Sequence, residues 1–512
     1  MSSYQKQVED FNNNYSSVIH KDAIELSETF DKLFDEKNSS QILPTIEKAR
    51  KMLSQNYSIP TKMQISYDIA NGYYDYRKIT GTKESIYLEK AIYFLRNTLD
   101  MYESSCYDEE DLEENEETAV AKYIAMRSYT NLGNAMHDLG RYIAAIDYYH
   151  NALLISDDFA MASLNLSISL LNYADFQINR YERNYYHHAG FYYYEQTKRT
   201  KINLEKQEYL EKLHSRISLF APEYIEGFLK KPLSLPKFQV DDEEEADYRN
   251  YLLIFRLFLE PCLDILGDPC FAVDSINLPF GDQPSNREKE FIGLFNQIKQ
   301  EYNFARYLWY KTEMDEPAMH YADRELDLID TGDSAKHSLA ESYIRTAFKT
   351  VYSLFDRIGY FINEYFQVGL TGTNISFKNI WKEKLCDRNG EPYFTIPNPI
   401  MEKHKYNPLV HAMFWLQKDF YEDKKTNVTM PFAEPIFQMR NDLEHNCLRT
   451  GTKTYDVTFT KYTVDGMIEN NTYKLLRLAR ELIIYLCLAV SYDRKVSANN
   501  MLTKERNPHN FA

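Results

Sequence analysis

The sequence predicts an all-α protein. Three observations predict it: 16 glycines and 17 prolines are few for 512 residues, aromatic residues reach 15% with 43 tyrosines among them, and long stretches run without a helix breaker. A chain of this length exceeds what one hydrophobic core organises, so two or more units are expected.

Composition also excludes. The net charge of -17 argues against a general nucleic-acid coat protein, because phosphate binding rests on clustered Lys and Arg. The N-terminal residues MSSYQKQVEDFNNNYSSVIH hold no apolar core of a signal peptide, and no window approaches the roughly 18 uninterrupted apolar residues of a membrane helix. The expectation is a soluble, cytoplasmic protein with no membrane partner. The cysteines at 106, 262, 270, 386, 447 and 487 form no CxxC, so they read as reduced thiols, and neither a metal nor a cofactor is expected. Two acidic runs, Glu103 to Glu117 and Asp241 to Asp247, read as solvated loops or linkers, the alternative being an acidic recognition tail.

Taken in order, AIELSETFDKLFDEK and SSQILPTIEKARKMLSQNY give two helices between Asp22 and about Tyr57, joined at an Asn-Ser turn. A second pair spans about Thr61 to Lys78 and Ser85 to Met101, with Thr80 and Gly81 breaking the first helix. The clearest repeat runs from Tyr129-Thr130-Asn131-Leu132-Gly133 through Ala145, Tyr149, Ala152 and Asp157. Gly133 and Ala145 would let two helices approach closely while Tyr149 fills the adjoining gap. This pattern resembles a tetratricopeptide (TPR) repeat, with Asp157 in place of the usual proline. Asn71-Gly72 with Ala91 and Phe94, and Asn165-Leu166 with Ser167, are weaker copies. Stacked repeats need about three units to bury their faces, so residues 1–220 are expected to form a TPR-like helical solenoid that binds something in its concave face. The aromatic stretch from Arg180 to Tyr194, with His187 and His188, is either inter-repeat packing or a base-stacking surface.

Residues 221–286 read as a Pro-punctuated, charged linker carrying one helix, Tyr248 to Leu266. Residues 287–495 read as a helical bundle and 496–512 as a tail. The bundle opens with the amphipathic REKEFIGLFNQIKQEYNFARYLWYKTE, then a shorter helix through Ala322 to Ile329, then a core helix from Ala335 to Phe366. An irregular insert follows from Thr371 to Pro399. His411 to Tyr421, the stretch after Pro431 and Asp465 to Arg494 supply the remaining helices, and TYDVTFTKYTV alternates as a short hairpin or strand pair.

Chemistry concentrates at Arg440-Asn441-Asp442-Leu443-Glu444-His445. Ile436, Met439 and Leu443 recur at helical spacing, so the polar residues ride a helix whose other face packs inward; Asn441 and His445 share a face, with Arg440 on its flank. A guanidinium stabilises charge on phosphoryl oxygens, and an imidazole, titrating near pH 6.5, moves protons beside them. The structural alternative is an Arg440–Glu444 pair one turn apart, with His445 packed against a neighbour.

The Arg, four residues, His spacing, with Asn directly after Arg and the accompanying ARYLWYKTE and LAESYIRTAFKTVYSLFDRIGYFINEYF, resembles the HEPN superfamily, in the bacterial subgroup fused to TPR-like repeats. The resemblance implies a metal-independent endoribonuclease that leaves a 2′,3′-cyclic phosphate or a 3′-phosphate, acts on tRNA or mRNA in antiphage defence or a toxin-like stress response, and responds to a protein or phage-derived trigger at the TPR-like half. It implies catalytic roles for Arg440, Asn441 and His445. One helix supplies one acid-base group, so a homodimer is expected to bring the second. Glu341, Asp356 and Glu444 are candidates to support the site. Lys418, Lys424, Lys425 and Arg449, with Lys403, His404 and Lys405 nearby, offer RNA-facing charge that Asp419, Glu422 and Asp423 dilute. Where some members carry a modifiable Tyr two residues after the His, this chain has Cys447. The alternative function is a non-catalytic scaffold that binds proteins and dimerises; nucleotide binding is disfavoured because no GxxxxGK loop occurs.

Overall fold

Helix boundaries in the first half fall where its breakers and caps fall. The computed structural model describes residues 17–82, 84–105, 115–177, 180–199, parts of 210–227, 242–260, 274–314, 320–381, 385–386, 392–393, 400, 404, 406–420, 429–453 and 460–506. Two helical hairpins come first, α1 (Lys21–Asp35) with α2 (Ser39–Leu53) and α3 (Ile59–Thr80) with α4 (Ser85–Ser104). Gly81, in the left-handed region at φ 65°, closes α3, a conformation glycine adopts without steric cost. Two more hairpins follow, α5 (Glu116–Asp138) with α6 (Tyr142–Ile155) and α7 (Ala160–Ala174) with α8 (Arg180–Arg199), and consecutive helices pack on one another throughout.

The expected close approach at Gly133 is present: a Cβ there would lie 2.5 Å from the Tyr149 ring. In the next hairpin the small residue has changed sides. A Cβ on Gly190 of α8 would meet Leu171 of α7 at 2.8 Å, and the Ser167 hydroxyl donates to the Gly190 carbonyl at 2.7 Å. In the hairpin before, Gly72 faces backward, towards Phe30 and Ile46. The aromatic stretch is packing, since Tyr185, Tyr186, Phe191 and Tyr194 are buried, although Tyr192 is exposed.

The chain divides into two compact units, Met1–Leu233 with Lys418–Pro431, and Ser234–Gln417 with Phe432–Ala512. In the second, α9 (Glu243–Ile254) precedes α10 (Asn286–Met314), α11 (Leu339–Phe366), α12 (Pro408–Gln417), α13 (Ala433–His445) and α14 (Met467–Arg506). The core is built where α10, α11 and α14 pack together, lined by Phe295, Phe348, Leu354, Phe361 and Leu482. Two small strand pairs decorate it. β1 (Leu385–Cys386) and β2 (Pro392–Tyr393) are antiparallel; β3 (Cys447–Thr450) and β4 (Thr460–Thr463) are parallel, Cys447 opposite Thr460.

Several expectations are corrected here. Within the acidic run, residues 242–247 are not a linker: Asp242 caps α9, accepting from the Glu245 amide at 2.8 Å, and Glu243 to Glu245 form its first turn, where the helix dipole favours negative charge. That helix ends at Ile254, well short of Leu266. No helix forms at Ala322 to Ile329. There Asp330 accepts the Gly332 amide at 2.7 Å, a local bond that competes with a helix ladder, and Asp323 accepts the Leu339 amide at 2.8 Å, tying the stretch to the start of α11. Of TYDVTFTKYTV, read as a short hairpin or strand pair, Thr460–Thr463 pairs with Cys447–Thr450 just after His445 while 454–459 lie outside the described residues, and α14 continues past Arg494 to Arg506. Cys106, Cys262, Cys270, Asn389, Gly390, Glu422 and Asp423 lie outside the described residues.

Candidate functional site

The motif helix α13 is placed by its apolar side. Ala433, Ile436, Met439 and Leu443 are buried, α11 packs against it, and Asn471 of α14 reaches the Met439 sulfur at 3.6 Å. That leaves Arg440 and Asn441 half-buried at the edge and Glu444 and His445 exposed at the end.

Arg440 is held from two sides. Its guanidinium donates to the Asn441 side-chain oxygen at 3.1 Å and sits 5.8 Å from the centre of the Tyr352 ring on α11, within cation–π range. Burial pushes the Tyr352 hydroxyl up to about 12, against the opposing charge of Arg440. One turn on, Asp356 accepts the Phe377 amide at 3.1 Å. The residue is open to solvent as a whole, yet its carboxyl is crowded enough that desolvation raises it above the usual carboxylate range, with the Phe377 amide and Arg440 pulling the other way. The crowding comes from a loop lying directly on α11 at Gly359, where a Cβ would be 2.5 Å from the Phe377 nitrogen.

Among the described residues Arg440 makes no ion pair with Glu444, and His445 has no hydrogen-bond or ionic partner. The chain then turns out of the helix, the Asn446 amide donating to the Asp442 carbonyl and its side chain to the Asp442 carboxylate at 2.7 Å.

The remaining candidates are placed elsewhere. Glu341 is buried at the start of α11 and accepts from Arg345 at 3.2 Å and from Thr450 at 3.1 Å, while Arg345 donates to the Leu448 carbonyl at 2.9 Å. It fixes the strand that follows the motif rather than touching Arg440. Arg449 is paired with the buried Asp333 at 2.8 Å, which also accepts from Tyr462 at 2.7 Å; the hydrogen bond from Thr331 above all, then those from Tyr462, Arg449 and the Ala335 amide, hold the Asp333 carboxyl well below the usual range. Lys418 belongs to the first unit and pairs with the buried Glu89 at 3.2 Å. His404 lies against Asp493. Lys403, Lys405, Lys424 and Lys425 fall outside the described residues. Asp419, expected to dilute a surface patch, is instead fully buried beside Arg96 and Arg141.

Tyr352 was not singled out from the sequence, because an aromatic in an apolar stripe reads as core and nothing local ties it to α13. Among the described residues no helix is long and apolar enough to cross a membrane.

Residues 283–493 match the family model described as LA2681-like HEPN. No curated protein and no solved structure matches the chain.

Proposed function

Residues 283–493 match the HEPN superfamily, and from that premise we propose that the chain is a metal-independent endoribonuclease acting through Arg440, Asn441 and His445. The observation that carries this reading is the contrast along α13: Arg440 is pinned by Asn441 and Tyr352, while His445 is exposed and unpaired among the described residues. A held cation beside a free imidazole suits a phosphodiester.

In the reaction the ribose 2′-OH attacks phosphorus, giving its proton to one imidazole, and the P–O5′ bond breaks as the 5′ oxygen takes a proton from a second group. The product is a 2′,3′-cyclic phosphate, which water opens to a 3′-phosphate. Arg440 stabilises the charge that builds on the phosphoryl oxygens. Asn441, with Tyr352 and Asp356, positions the guanidinium. The second acid-base group comes from the same helix of a second copy, so the active form is a homodimer with two motif helices facing one cleft. The role is antiphage defence or a toxin-like stress response on tRNA or mRNA, with the TPR-like first unit binding a protein or phage-derived trigger.

Purified wild type, His445→Ala and Arg440→Ala, incubated with tRNA and with mRNA, test the reading. Each variant is expected to cut at least about 100-fold more slowly, the usual cost of losing one acid-base or electrostatic group, and cleaved ends should carry cyclic or 3′-phosphate with or without chelator. Equal RNA integrity in all three would sink it. A second reading, a non-catalytic scaffold, is favoured by the packing of Arg440 on Tyr352; it predicts that Arg440→Ala lowers the melting temperature while His445→Ala is silent in every assay.

A further inference from the structure

The segment 440–448 is fastened to α11 at two points. Arg440 lies over the Tyr352 ring, and the Leu448 carbonyl of β3 accepts from Arg345 at 2.9 Å. Between these anchors the segment carries Glu444 and His445, and between them α11 carries Lys349, four residues after Arg345 and three before Tyr352. At about 100° per residue the three side chains leave α11 within about 60° of one another, each about one turn from the next. The stretch that holds His445 is thus anchored to α11 on both sides of Lys349.

Lys349 is half-buried, and among the described residues it makes no hydrogen bond and no ion pair. The sequence gives a local reason: the positions three and four residues away on the helix are Arg345, Thr346, Tyr352 and Ser353, none of them a carboxylate. Carboxylates nearby are engaged elsewhere. Glu341 accepts from Arg345 and Thr450, Asp356 accepts the Phe377 amide, and Asp442 accepts the Asn446 side chain. Arg449 and Arg345 are matched by Asp333 and Glu341, whereas Arg440 and Lys349 have no ion-pair partner among the described residues. Two cations kept near one face without counter-charges repel each other and give up solvent, a cost that a polyanion touching both would offset.

We propose that Lys349 is a phosphate-binding residue for RNA, its ammonium holding a backbone phosphate next to the scissile one that Arg440 faces, at the His445 end of α13. A compact charge on a flexible stem suits a phosphate that has only to be held, while the pinned guanidinium suits the one on which charge builds. Lys349 then sets the affinity for the strand and its register across His445, and takes no part in proton transfer. The phosphate contact stands on the placement of Lys349 on α11; only the register at a cleavage point rests on the nuclease reading above.

Two measurements on the full chain test it. In the first, a fluorescently labelled 2′-O-methyl RNA oligonucleotide, which lacks the attacking hydroxyl and is not cut, is titrated at several salt concentrations. Lys349→Gln should flatten the slope of log affinity against log salt by about 0.7, the share of one phosphate on a single strand, and Lys349→Arg should restore it. Lys289→Gln, at an exposed position of α10, removes the same formal charge and should leave the slope as it was. In the second, on cleavable RNA, Lys349→Gln should raise KM about tenfold, the worth of one charge-assisted hydrogen bond, with kcat little changed. An unchanged slope overturns the proposal, as does a slope that Lys289→Gln flattens equally. A fall in kcat at unchanged KM overturns it too, since Lys349 would then act in the chemical step. If Lys349→Gln melts early, the slope is read on Lys349→Met, which keeps the packing of the stem; early melting of both marks the side chain as structural and overturns the proposal. Wild type that shows the slope change against Lys349→Gln but cuts no RNA would remove the nuclease reading and leave the phosphate contact in place, whereas wild type that binds no RNA would remove both.

Discussion

Asp68 and Asp419 are both buried in the first unit, and their surroundings drive them in opposite directions. Asp68 has only neutral donors, Ser27 at 2.5 Å and Gln64 at 2.8 Å, so burial dominates and raises its carboxyl to about 7. Its contribution to stability is full below the ordinary carboxylate pKa near 4 and is lost as pH rises through about 7. Asp68→Asn, which mimics the protonated form, should therefore stabilise the protein by on the order of 2 kcal/mol at pH 8 and change little at pH 4; urea midpoints at the two pH values check it. Asp419, held down to about 2, has the opposite sign: it stabilises above pH 4 and fades below, so exchange protection at 418–420 and 429–431 should fall between pH 4 and pH 2. At this scale the site was half legible. Arg440, Asn441 and His445 share one helix, and local spacing reports them. Tyr352 and Asp419 owe their roles to partners on distant segments, which spacing does not encode.

A helix pair can draw close by placing its small residue on either member, and the first unit uses both options. Gly133 on α5 makes room for Tyr149, whereas Gly190 on α8 makes room for Leu171. The repeat signature carries the small residue in the first helix, so it finds the former and passes over the latter; the helical hairpin is the same. Gly133→Ala should cost about 1–3 kcal/mol, the usual penalty for overfilling a packed site, read as a lowered melting temperature, because the obstructing atoms belong to the Tyr149 ring at 2.5 Å rather than to a flexible chain end. In the second unit, apolar spacing misled at Ala322 to Ile329. Leu326, Leu328 and Ile329 are exposed, and the aspartates around them spend their oxygens on nearby amides.

For the molecule as a whole, helical class followed from composition, but domain limits depended on contacts far apart in sequence. The family match begins at residue 283, whereas Arg306, 2% exposed, bonds Asn303 at 2.8 Å within it but draws its ion pair from before that point, donating to the Leu257 carbonyl at 2.9 Å and to Asp274 at 2.6 Å. Arg480 likewise binds the Phe258 carbonyl at 2.5 Å. A fragment covering 283–512 should thus leave two buried arginines short of partners and be less stable by several kcal/mol than one covering 242–512, a difference that paired denaturant titrations would reveal.

The return of the chain to its first unit also bears on how the protein is made. Arg96 waits for a partner 323 residues downstream, so a nascent chain emerging from the ribosome cannot seal its N-terminal helical hairpins when they are complete; α10, α11 and α12 must be synthesised first. Contacts of such long sequence separation close slowly, and α13 is translated immediately after the segment that closes them. The order of synthesis thus delivers the motif helix when the parts that seat Asp419 are already in existence.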